Sequence, residues 1–60
     1  MKIFVNDKEI YLLPGMKAIH AVIGAGLMDQ IESGRRVYDE WGNEIGLNGE
    51  FVSDTKIFVR

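Results

Sequence analysis

His20 is the only histidine in the chain, and there is no cysteine. Nucleophilic catalysis needs a nucleophile, a base within hydrogen-bond reach and a third group that orients the base. No serine–histidine–carboxylate or cysteine–histidine set can be assembled around His20, which reads as a solvated helix residue. Asp39, Glu40, Glu44, Glu50 and Asp54 crowd one third of the chain and offer hard oxygen ligands. They lack the regular spacing of a calcium loop, so they read as solvated charge, or as an acidic rim for a basic partner. Gly24-Ala25-Gly26 has the glycine content of a phosphate loop, but it ends an apolar helical pattern instead of opening one. No third glycine and no Lys-Ser/Thr pair follows it. No catalytic residue, metal site or cofactor is expected, and the chain reads as a non-enzyme.

The background that must position any site is small. Sixty residues make one domain, 1–60, and a chain of this size buries only about 60% of the surface that its unfolded form exposes. Hydrophobic residues are 47% of the total and charged residues 27%, a globular composition. Without cysteine, no disulfide, iron–sulfur cluster or thiolate zinc site can staple the core, which leaves apolar burial. Seven basic against nine acidic side chains give a formal charge of −2, and the longest basic run is Arg35-Arg36. Nucleic acid is therefore not an expected partner. No stretch approaches the roughly 20 apolar residues that span a bilayer, and the N-terminal residues lack a secretory pattern. The expectation is a soluble, cytoplasmic protein that does not meet membranes.

Residues 2–5, Lys-Ile-Phe-Val, predict a strand that ends at the turn formers Asn6-Asp7. Residues 9–13 predict a second strand, stopped by Pro14-Gly15 and paired with the first as a hairpin. From Met16 the period changes: Met16, Ile19, Val22, Ile23 and Leu27 form one apolar stripe on a helix of about three turns. Lys17, His20 and Ala21 fall off that stripe. Gly15 stands in for a missing N-cap residue, and Gly26 is placed to end the helix in left-handed geometry, with Leu27 folding back toward Val22. Residues 28–35 read as a polar connection. Strands follow over 37–41, 44–47 and 56–59, separated by turns at Gly42-Asn43 and Asn48-Gly49 and by Ser53-Asp54. The expected architecture is α+β, order β-β-α-β-β-β, with a mixed sheet packed on one helix.

Lys-Ile-Phe-Val occurs twice, at 2–5 and at 56–59. Similar residues imply similar surroundings, so the two runs are placed side by side in the middle of the sheet, adjacent and parallel. Because side chains alternate faces along a strand, Ile3, Val5, Ile57 and Val59 meet the helix residues Ile19, Val22 and Ile23, which sends Phe4 and Phe58 outward together. Tyr11 alternates outward as well. Exposed aromatics of this kind mark binding surfaces, so Phe4, Tyr11 and Phe58 are the candidate partner-binding residues. Trp41, beside the Gly42-Asn43 turn, belongs to the same surface or closes the end of the core.

The opening Met1-Lys2-Ile3-Phe4-Val5 is similar to that of ubiquitin, and the element order resembles the β-grasp (ubiquitin-like) fold. Met1-Lys2-Ile3 with Val5-Asn6, then Leu13-Pro14-Gly15 before an apolar helix, then Ala25-Gly26-Leu27, more closely resembles the sulfur-carrier proteins of thiamine and molybdopterin biosynthesis. Asn43 to Ile45 and the run Asp54-Thr55-Lys56-Ile57 match that family's last hairpin and final strand. Those carriers act through a flexible Gly-Gly tail, whereas the given residues close on Val59-Arg60. Unless the native product is longer, no residue inherits the carrier role, and Arg60 is not expected to be a sulfur-transfer terminus. The expected function is a non-catalytic module that docks through its sheet to a protein partner or to a second copy, in a sulfur- or cofactor-related assembly. A sulfur carrier whose tail lies outside these residues is the second reading. A small-molecule-binding β-grasp domain is the third.

Overall fold

The computed structural model describes all 60 residues. Strands β1 (Lys2–Val5) and β2 (Lys8–Tyr11), helices α1 (Ala18–Gly24) and α2 (Met28–Glu32), and strands β3 (Val37–Asp39), β4 (Glu44–Ile45) and β5 (Thr55–Val59) follow in that order. They build an α+β domain with a five-stranded mixed sheet, β2-β1-β5-β3-β4, and two helices. Neither helix is long and apolar enough to cross a membrane.

The first hairpin closes tightly because Asn6 and Asp7 both adopt positive φ, 49° and 70°, as a two-residue turn matched to strand twist requires. It sets the register Ile3↔Ile10 and Val5↔Lys8. β1 and β5 are adjacent and parallel, as the repeated tetrapeptide implies, but the two copies are offset by two residues: Ile3 faces Thr55 and Val5 faces Ile57. Each copy buries its isoleucine and valine and leaves its phenylalanine half-buried. β3 joins the other side of β5 in antiparallel register, Val37↔Val59 and Tyr38↔Phe58.

Ile3, Val5, Ile57, Val59, Val37 and Leu12 form the sheet side of the core, closed from above by Ala21, Val22 and Ala25. The helix stripe therefore differs from the expected one. Ala18, Ala21, Val22 and Ala25 are buried at spacings of three, one and three, while Ile19 is only half-buried and Ile23 is 54% exposed. Ile23 is thus not a core residue, and Ala21 is. Small side chains allow the helix to approach the sheet closely; a Cβ placed on Gly24 would stand 3.2 Å from Cγ2 of Ile10.

Other boundaries also move. The helix begins two residues later than expected, with Lys17 rather than Gly15 at the N-cap. Its first N–H groups are satisfied by tertiary contacts: Ala18 N donates to Gly49 O at 2.8 Å and Ile19 N to Leu47 O at 3.0 Å. The helix end is the one expected. Gly26 has φ +74°, Gly26 N donates to Ile23 O at 3.0 Å, and Leu27 N reaches back to Val22 O at 3.1 Å, a full Schellman motif. Residues 28–32, expected as connection, form α2, whose Met28 and Ile31 pack on the core rim. β3 stops at Asp39, so Glu40 and Trp41 belong to a loop.

Candidate functional site

Both helices contribute side chains to the core on one face of the sheet. Strand alternation sends Phe4, Tyr11, Tyr38, Lys56 and Phe58 to the other face, where no helix lies. The register spaces them. Phe4 stands opposite Glu9 on one side and Lys56 on the other, Lys2 stands opposite Tyr11, and Phe58 stands opposite Tyr38. Phe4 and Phe58 are therefore not direct cross-strand partners. They are diagonal neighbours, with Lys56 level with Phe4.

The centre of this face is an aromatic pair crowned by a cation. Arg60 lies with its guanidinium carbon 5.1 Å from the Tyr38 ring centroid and 5.9 Å from that of Phe58, which is cation–π range. The main chain holds it there, since Arg60 N donates to Arg36 O and Arg36 N to Arg60 O, both at 3.0 Å. Tyr38, named by no motif, is the residue that reading the sequence missed. Its signal was alternation with Val37, which would have placed it beside Phe58 once β3 and β5 were paired.

Phe4, Tyr38 and Phe58 are half-buried, and Tyr11 is 69% exposed at the β2 edge. The Tyr11 phenol is held above its usual pKa, chiefly by its hydrogen bond to Glu9 and then by the charge of that carboxylate. Trp41, 77% exposed on the β3–β4 loop, does not close the core.

Asp39 shapes that loop. Its Oδ1 accepts N–H groups from Asn43 at 2.8 Å and Trp41 at 2.9 Å, and its Oδ2 accepts from Asn43 Nδ2 at 3.3 Å. The main-chain N–H of Asn43 is the largest cause of a carboxyl pKa below the ordinary aspartate value, and the slight burial opposes it. Asp39 is thus a turn organiser. No three His, Cys, Asp or Glu side chains converge as metal ligands would. His20 is exposed, and its Nδ1 accepts the main-chain N–H of Lys17 at 2.8 Å, which closes the first turn of α1. Gly24, Ala25 and Gly26 end that helix.

Compared with protein-family models, curated proteins and solved structures, the chain matches none.

Proposed function

We propose that this chain is a non-catalytic interaction module of β-grasp type that docks to a protein through the outer face of its sheet. The β-grasp reading is supported by an N-terminal hairpin, a helix packed across it and a last strand returning parallel beside the first. Its place in a sulfur- or cofactor-related assembly rests on the sequence resemblance alone.

One observation carries the docking reading: Phe4, Tyr38 and Phe58 lie half-buried on a face without a covering element, with Arg60 against two of the rings. Aromatics and arginine are the side chains enriched at the centres of protein interfaces. Finishing the burial of each ring removes apolar area from water, at roughly 25 cal/mol per Å², although association entropy offsets part of that gain.

The test is affinity capture from the native cell extract with the wild-type chain and with a Phe4→Ser, Phe58→Ser double variant. The proposal expects specific proteins, or further copies of the chain, to be retained by the wild type and lost with the variant while cooperative unfolding persists. Equal retention by both would remove the sheet face from the account.

A further inference from the structure

A second feature, at the β4 edge of the sheet, has the form of a small-molecule site. Between the end of α2 and the β3–β4 hairpin lies an open cleft of about 370 Å³, within the usual range of ligand pockets, roughly 300 to 1,000 Å³. Its apolar wall is Ile31, Val37, Ile45 and Leu47. Val37 is buried, and the other three are half-buried residues at the rim of the core. The folded chain therefore leaves aliphatic surface partly uncovered here.

The polar groups of the cleft are Arg35, Arg36 and Glu44. Arg36 is committed: its Nη1 donates to Glu44 Oε2 at 3.0 Å. The Arg35 side chain makes no ion pair or hydrogen bond within the chain. Its main chain is fixed, with Arg35 N donating to Gln30 O at 3.0 Å directly after Gly34, whose φ is +106°. The local charge sums to +1, from two guanidiniums and one carboxylate. A single negative head group balances that charge, whereas a dianion would leave the cleft net negative. A free guanidinium fork pairs with a carboxylate through two parallel hydrogen bonds.

Gly46 adds an independent observation. It lines the cleft, its φ is not positive, and a Cβ built on it meets nothing within 4 Å. Neither a positive φ nor a close neighbour calls for glycine there, so a side chain at this point of the cleft lining has room.

We infer that the cleft between α2 and the β3–β4 hairpin binds a small amphipathic monocarboxylate, its apolar body on Ile31, Ile45 and Leu47 and its carboxylate on Arg35. Its apolar wall belongs to the helix side of the sheet, while Glu44 stands opposite Tyr38 at the border of the docking face.

Octanoate is the probe, compared with octylammonium, octanol and octyl phosphate in titrations followed by amide chemical shifts and by calorimetry. Saturable binding of octanoate, with shifts clustered on residues 31–36 and 44–47, is expected, together with weaker binding of the other three. Arg35→Gln, an exposed change that leaves the fold intact, should weaken octanoate binding about tenfold or more, and Gly46→Leu should weaken it by filling the wall. The proposal is overturned by absence of saturable shifts, by shifts that cluster elsewhere, by undiminished affinity in Arg35→Gln, or by octyl phosphate or octylammonium binding as tightly as octanoate.

Discussion

The side chain of Asn6 takes the place of a strand residue for Val59: its Oδ1 accepts Val59 N–H at 2.9 Å and its Nδ2 donates to Val59 O at 3.3 Å. β1 leaves the sheet at Asn6, whose φ of 49° opens the hairpin turn. β5 continues two residues beyond its last register partner, Val5↔Ile57. Without the amide, the main-chain groups of Val59 on that side would lose their partners. Asn6 therefore joins turn chemistry to the parallel pairing that holds Phe58 and Arg60 in place.

Replacing Asn6 with glycine isolates the clamp, because glycine accepts the positive φ without strain. Asn6→Gly should still cost about 1 to 3 kcal/mol, the range for leaving a hydrogen-bonding group unsatisfied. Urea unfolding checks this, and wild-type stability in the glycine variant would mean that the two hydrogen bonds contribute nothing net.

The helix face yields a contrast within three residues. Ala21 is fully buried and Ile23 is 54% exposed. Ala21→Leu should destabilise by about 1 to 3 kcal/mol through overpacking, while Ile23→Ala should cost under about 1 kcal/mol, below the 2 to 5 kcal/mol typical of a core isoleucine. The reverse order in thermal unfolding would restore the large-residue stripe as the buried one.

At the end of α1, Gly26 holds φ +74° with open space around its Cβ position. Gly26→Ala should therefore destabilise through backbone strain alone, by roughly 1 to 2 kcal/mol. Hydrogen exchange at Gly26 and Leu27 should quicken with it, since their N–H groups form the Schellman bonds.

Acid should loosen the β3–β4 loop at a defined carboxyl. The folded pKa of Asp39 is lowered, chiefly by the main-chain N–H of Asn43. Its contribution to stability is therefore present above the unfolded-state aspartate value and is lost as pH falls through the lower, folded one. Amide shifts of Trp41 and Asn43 should titrate together, with a midpoint below that of an ordinary aspartate. A midpoint at or above the ordinary value would contradict the hydrogen-bonded loop.

Period-two alternation and turn formers made β1 and its hairpin turn legible, the repeated Lys-Ile-Phe-Val the central β1–β5 pairing, and glycine placement the Gly26 helix end. The start of α1 was not legible, because its first N–H groups are satisfied by the carbonyls of Leu47 and Gly49, about 30 residues away in sequence. The buried stripe was read only in part: Val22 lies in the core and Met16 and Leu27 pack on it as expected, but Ala21 and Ala25 take the places expected of Ile19 and Ile23. Short α2 lacks a capping side chain, and its Met28 and Ile31 supply only one apolar step of helical spacing. Of the candidate site, Phe4 and Phe58 were placed by alternation alone. Tyr38 and Arg60 joined them only through the β3–β5 register, which turn signals do not specify.

The docking claim is tested most directly by site-specific photocrosslinking in the native cell, with a benzophenone amino acid placed in turn at Phe58, at Tyr38 and at the exposed helix position Glu32. The account predicts covalent adducts to a protein, or to a second copy of the chain, from positions 58 and 38 and none from position 32. Adducts from position 32 alone, or no adducts from 58 and 38 in a folded and expressed chain, would contradict it.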